Sequence, residues 1–179
     1  MDEGRLAESE ADLVAVINKD DKNANLKFVL GNVYDNLSQK FDKEGNAAEA
    51  QKYFDKALEW YNKAAAQKPD MVNAHYNIGA MYYNKASNMY KTVEAISDMK
   101  AYNAKRKELD GPIKENGEMA MKFLMKTNEV VATLPADAPE KKCDYVSSLA
   151  GAIRSCYVIL RDNANVAVWQ AKVKELECK

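Results

Sequence analysis

The chain has 179 residues, 47% of them hydrophobic, with 26 Lys and Arg against 27 Asp and Glu and a net charge of −1. That length suits one domain or one array, and the apolar fraction suffices to bury a core, which excludes a chain disordered by composition. The balanced charge excludes the basic footprint of a nucleic-acid binder, and seven Gly with four Pro are too few for a turn-rich sandwich or barrel.

Apolar residues recur at three- and four-residue steps almost throughout, the period of amphipathic helices. Leu6, Leu13, Val16 and Ile17 mark a first helix, ending near the polar run 18–25. Leu26, Val29, Leu30, Val33, Tyr34, Leu37 and Phe41 mark a second, stopped around Gly45. Ala47, Ala50, Phe54, Ala57, Leu58, Tyr61 and Ala64 mark a third, stopped at Pro69, whose ring clashes with the preceding turn. A fourth opens near Asp70 and carries Ala74, Ile78, Tyr82, Ala86, Met89 and Val93.

Ser97 or Asp98 is placed to cap a fifth helix, with Met99, Tyr102 and Leu109 on its apolar side. Gly111 and Pro112 should kink or break it, and the segment 97–134 reads as one long, kinked helix. Asp137, followed by Pro139, starts the next helix, with Tyr145, Leu149, Ile153, Cys156, Tyr157 and Leu160. A last helix takes Val166, Trp169, Val173 and Leu176. Short connections place neighbouring helices antiparallel.

The start, MDEGRLAESEADL, is acidic and has no apolar core, so this chain shows no signal peptide of its own, and no run of 18 apolar residues exists to insert in a membrane. Cys143, Cys156 and Cys178 are an odd, widely spaced set without C-x-x-C, which argues against a disulfide framework or a zinc site. Cys156 lies in an apolar-periodic segment and reads as a small core residue.

Two glycines sit inside helical segments where each costs about 1 kcal/mol relative to Ala. Both belong to one pattern, Leu30-Gly31-x-x-Tyr34 and Ile78-Gly79-x-x-Tyr82, and Ala50-x-x-x-Phe54, Ala57 and Pro69 follow the first. The sequence here resembles the tetratricopeptide repeat (TPR) family, whose 34-residue helix-turn-helix unit carries L-G-x-x-Y, A-x-x-x-F and P. The small residue on the first helix of such a unit lets the second approach closely. Gly31 to Gly79 spans 48 residues, 14 more than the family's period, and the excess divides as seven in each helix. Seven residues are about two helical turns, so lengthening both partners equally preserves the hairpin.

The resemblance is strong over 25–85. In the final unit Tyr157 takes the tyrosine position, but Arg154 stands where glycine would be and no A-x-x-x-F follows. It implies an all-α fold, a right-handed α-solenoid of antiparallel helical hairpins. The expected organisation is a single domain, 1–179: a leading helix (1–21), a first hairpin (22–69), a long kinked second (70–135), and a third (136–179) with a C-terminal capping helix. Residues 3–19 resemble the second helix of a repeat without its first, so upstream repeats are expected to be missing.

Arrays of this family bind peptides or protein segments along a concave surface built from the first helix of each hairpin. Carried over, these positions are Asn25, Phe28, Asn32, Asp35 and Asn36 in one unit and Asn73, Tyr76, Asn77, Tyr83 and Asn84 in the next. Asn offers a donor and an acceptor to an extended backbone, and Phe and Tyr add contact area at low rotamer cost. The alternative is that Asn and Tyr simply solvate a groove in a structural array. Some family members clamp a C-terminal carboxylate with two Asn and several cations. Asn32 and Asn77 occupy the asparagine positions, but Phe28 replaces a lysine and Ser148 and Ala152 stand where cations are needed, which argues against tail recognition.

His75, the only histidine, has no nucleophile or cysteine nearby in sequence and reads as a packing residue. Glu8 with Glu10 and Glu140 with Asp144 read as solvated charges, and no phosphate loop, HExxH or G-x-S-x-G is present. The basic stretch 100–110 reads as a solvated face, or alternatively as a patch for an acidic partner. Met81, Met89, Met99, Met119, Met121 and Met125 read as core filler.

The expectation is therefore a non-catalytic scaffold binding a protein or peptide, without cofactor, metal or nucleic acid. The alternative is an assembly module that stacks with further repeats or a second copy through incomplete ends, with Leu6 and Leu13 exposed. Arrays in bacterial envelope proteins look similar, pointing to a periplasmic or exported location if a leader was removed. The sequence itself leaves the compartment open.

Overall fold

The computed structural model describes residues 11, 12, 14–17 and 19–176. Leu6, Glu8, Glu10, Leu13 and Cys178 lie outside the described residues. All regular structure among those described is helical: 11, 12, 14–17 and 19, then α1 (Ala24–Lys43), α2 (Ala47–Gln67), α3 (Val72–Glu94), α4 (Met99–Thr133), a 3-10 turn (Pro139–Lys141), α5 (Cys143–Ile159) and α6 (Asn163–Glu175). The chain divides into two compact units, Met1–Ala74 and His75–Lys179.

In the first unit, Asn23 caps α1 by accepting from the Leu26 N–H at 3.2 Å, and Asn46 caps α2 by accepting from the Glu49 N–H at 3.3 Å. Between the helices the chain reverses at Gly45, whose φ of +76° suits a residue without Cβ. The helices run antiparallel, since Ser38 donates to the Ala50 carbonyl at 2.8 Å near the turn while Gly31 meets Tyr61 further along. Leu30, Tyr34, Leu37, Ala57, Tyr61 and Ala64 form the buried seam. Phe41 stacks on Tyr53 at 5.4 Å, with the rings 4° from parallel. On α2 the Lys63 ammonium lies 4.2 Å from the half-buried Trp60 ring.

In the second unit, α3 and α4 meet at Gly79 and Leu124 and through Tyr82 stacked on Phe123 at 6.4 Å. Ala86, Val93, Ile113 and Ile159 form a buried cluster joining α3, α4 and α5, with Tyr83, Met89, Tyr90, Tyr102 and Leu109 packed on it. Asp98 caps α4 through the Ala101 N–H at 2.8 Å, as the sequence indicates. The helix runs unbroken for 35 residues with Pro112 inside it. Two buried polar side chains stay within this helix: Asn116 donates to the Pro112 carbonyl and Thr127 to the Phe123 carbonyl. Met99 is 71% exposed and not part of the apolar side, because it is the first residue of α4.

The last hairpin departs further from expectation. Helix α5 begins at Cys143, not near Asp137: Pro139 opens only a three-residue 3-10 turn, and Ala138 before it is held extended (φ −59°, ψ 139°), as a residue preceding proline tends to be. Arg161 takes a left-handed φ of 58° in the turn to α6, and Asp162 caps α6 by accepting from the Asn165 N–H at 3.1 Å. Arg154, at the expected glycine position, donates to Gln170 Oε1 at 2.8 Å and so joins α5 to α6 through a long polar side chain. Trp169 is buried, with the Lys172 ammonium 4.1 Å from its ring. The cysteines also correct the sequence reading: Cys143 is disulfide-bonded, while Cys156 is buried and free as expected.

Candidate protein-interaction surface

The expected binding positions on α1 follow from helical spacing: 25, 28, 32 and 35 recur at three- and four-residue steps and share a face. The structure divides them by role. Asn25 and Asn36 are exposed. Phe28 is half-buried on the Ala64, Met71 and Ala74 cluster, its ring 5.6 Å from that of Tyr61. Asn32 accepts a hydrogen bond from the Tyr61 hydroxyl at 2.8 Å, so its carbonyl end is engaged within the hairpin. Burial raises the Asp35 carboxyl above its ordinary value, opposed in part by the hydrogen bond that Gln39 donates at 3.1 Å.

At the foot of α1 an open cavity of about 420 Å³ is lined by Asp20, Lys22, Asn23, Ala24, Asn25, Gln67 and Lys68. Lys27 donates to Gln67 Oε1 at 2.6 Å and to the Asp21 carbonyl, which also accepts from Gln67 at 3.2 Å. These bonds hold the loop before α1 against the end of α2. Sequence reasoning found Asn25 here but missed Lys22, Gln67 and Lys68, which belong to loops and helix ends outside the repeat pattern.

On α3, Asn73 and Asn84 are exposed, and Tyr76 and Asn77 are half-buried. Tyr83 is packed on the core cluster of the second unit, so much of its ring is spent on the fold. Tyr76 lies 6.0 Å from Tyr145 of α5 with the rings tilted by 49°. The Tyr145 hydroxyl is buried with no hydrogen-bond partner among the described residues, and burial, followed by Tyr76 and Glu140, pushes its phenol up to about 12. Nothing in the periodicity marks Tyr145 as a neighbour of Tyr76, since the contact joins helices separated by the whole of α4.

His75 is buried on α3, and no group of three or more His, Cys, Asp or Glu that could hold a metal occurs among the described residues. In the basic stretch Lys105 pairs with Glu108 at 2.7 Å, and Arg106 pairs with Asp110 at 2.8 Å while lying over the Tyr90 ring. These charges are locally paired. No helix among the described residues is long and apolar enough to cross a membrane.

A family model described as TPR repeat matches residues 45–96, which cover α2, the turn after it and α3. The chain carries a TPR repeat. No curated protein matches it. The matched TPR segment contains Ala50, Phe54, Ala57, Pro69 and Gly79 of the sequence pattern, and in the structure it supplies the close approaches of Tyr61 to Gly31 and Leu124 to Gly79.

Proposed function

We propose that this protein is a non-catalytic interaction scaffold whose strips on α1 and on α3, the first helices of their hairpins, each bind a peptide or protein segment. The reading rests on the exposed side-chain amides of Asn25 and Asn36 on α1 and of Asn73 and Asn84 on α3. Each amide offers a donor and an acceptor to a passing backbone without selecting its charge. Phe28 and Tyr76, half-buried beside them, add apolar contact area. The half-buried Asn32 and Tyr83 contribute to building the strips.

The test is selection of a random peptide library on the intact protein, followed by affinity measurement of the enriched peptides. Replacing Asn25, Asn36, Asn73 and Asn84 together by Ala should leave helicity unchanged and weaken binding at least tenfold, about 1.4 kcal/mol. Equal affinity for wild type and variant overturns the assignment.

A second reading, self-association, is favoured by Val158 and Val168 on the last hairpin, 41% and 51% exposed. Sedimentation from micromolar to millimolar concentration should then show a growing species that Val158→Ser with Val168→Ser abolishes. A monomer throughout removes it.

A further inference from the structure

Tyr76 near the start of α3 and Tyr145 in the first turn of α5 bring their rings to 6.0 Å at a tilt of 49°, so two aromatic faces meet at an angle and not in a closed stack. Both side chains are half-buried, and so is Glu140 on the 3-10 turn that leads into α5. The Tyr145 hydroxyl is buried and has no hydrogen-bond partner among the described residues. We propose that Tyr76, Tyr145 and Glu140 form a cation site that receives the guanidinium of an arginine in the segment bound along α3, an inference that rests on the scaffold reading above.

The groups of this site are acceptors. A ring face carries the negative side of the aromatic quadrupole, Glu140 brings a carboxylate, and the Tyr145 oxygen offers lone pairs. A guanidinium is their complement, being planar, always charged and able only to donate. Burial, then Tyr76, then Glu140 push the Tyr145 phenol up to about 12, so it stays protonated and adds no second negative charge.

No cation of the fold fills the place. Among the described residues no Lys or Arg lies over Tyr76 or Tyr145, whereas Tyr53, Trp60, Phe123 and Trp169 each hold a lysine ammonium 4.1–5.8 Å from the ring. Lys141 is turned away, donating to the Ala132 carbonyl at 2.9 Å, and the exposed Lys142 is offset by the exposed Asp144. From Val72 to Asn84, α3 has no Asp, Glu, Lys or Arg, and its His75 is buried. A phenylalanine would pack the same ring as Tyr145 without burying an unpartnered hydroxyl, so the oxygen is left for a ligand. One guanidinium donor meets it, another meets Glu140, and the plane lies against the Tyr76 ring. Since the hydroxyl is covered in the free chain, binding includes a rotamer change of one of these half-buried side chains, a common adjustment at interfaces.

The test uses the full chain with ring-labelled tyrosines and follows Tyr76 and Tyr145 by NMR as N-acetyl-arginine amide is added. N-acetyl-citrulline amide serves as the uncharged isostere. The expected result is a saturable shift of both rings with arginine and none with citrulline. Glu140→Gln should weaken arginine binding about two- to fivefold. Tyr145→Phe, read on Tyr76, should weaken it about fivefold while leaving Tm unchanged or raised, because the hydroxyl it removes has no partner in the fold. No saturation, equal shifts with citrulline, or a Tm lowered by Tyr145→Phe overturns the site. Peptides selected from the random library on the intact protein separate this inference from the scaffold reading. Arginine-bearing peptides that lose affinity about fivefold when arginine is replaced by citrulline support both. Arginine-free peptides that bind through the asparagines overturn the cation site alone. A library that enriches nothing overturns the scaffold, and with it the arginine-bearing segment.

Discussion

The Tyr61 hydroxyl donates to the Asn32 side-chain oxygen at 2.8 Å, one position along α1 from the glycine against which the same ring is pressed. A single fully buried tyrosine thus both fills the space left by the missing Cβ of Gly31 and makes a polar tie of the first hairpin. Removing the donor with Tyr61→Phe should cost about 1 kcal/mol. Asn32→Ala should cost about 1–3 kcal/mol, because it leaves a buried hydroxyl without this acceptor. A double-mutant cycle read by urea unfolding should show a coupling of about 1 kcal/mol; additive losses would refute the tie.

The glycines divide into two kinds with opposite expected signs. A Cβ on Gly31 would sit 2.5 Å from Tyr61 Cδ1, and one on Gly79 would sit 2.8 Å from Leu124 Cγ and 3.2 Å from its backbone nitrogen. Neither neighbour can yield easily, since Tyr61 and Leu124 are both fully packed. Overpacking costs about 1–3 kcal/mol and outweighs the helix-propensity gain of about 1 kcal/mol. Gly31→Ala and Gly79→Ala should therefore each lower stability. Gly151 has nothing within 4 Å of the same position, so Gly151→Ala should raise stability by up to about 1 kcal/mol. Thermal melts of the three variants decide the matter.

Asp35 sets a pH dependence. Burial raises its carboxyl in the folded chain, so the folded state keeps a proton that the unfolded state has already released. Stability from this group is greatest at low pH and is lost as pH climbs from the unfolded value through the folded one. Asp35→Asn removes the cost of ionising a buried carboxyl and preserves an oxygen for the Gln39 amide. The variant should melt above wild type at pH 7, and the gap should close as pH falls below the ordinary carboxylate range of about 4. A gap that widens on acidification would contradict the assignment.

Asp162 works in the opposite direction. Hydrogen bonds from the Asn165 side chain and backbone hold its carboxyl below the ordinary value. Its stabilising effect on α6 is present above the unfolded carboxylate range and is lost as pH falls through the lower folded value. Amide exchange in the first turn of α6 should accelerate in that acidic window for wild type. In Asp162→Ala the same turn should exchange faster at neutral pH already.

The helices and the reason for Gly31 and Gly79 were legible because period and motif repeat along the chain. Other features were not. Gly117, whose added Cβ would meet Leu160 Cδ2 at 2.9 Å, belongs to no L-G-x-x-Y pattern, so nothing in sequence separates it from the open Gly151. Asn32 looks like a surface amide until the fold brings in a hydroxyl from 29 residues away. The start of α5 was misjudged because Asp137 resembles a cap, while the proline two positions later holds its predecessor extended and delays the helix to Cys143. Of the five expected α1 positions, Phe28, Asn32 and Asp35 are half-buried while Asn25 and Asn36 are exposed, because the repeat pattern specifies positions and not how much of each side chain the neighbour covers.

Trp60 and Trp169 are the chain's two indoles, and one falls in each compact unit, each beneath a lysine ammonium. Their emission is therefore a built-in pair of reporters. With Trp169→Phe the fluorescence follows only the first unit, and with Trp60→Phe only the second. Two coincident denaturation curves would show that the units melt as one cooperative body. Two displaced curves would give each unit its own stability.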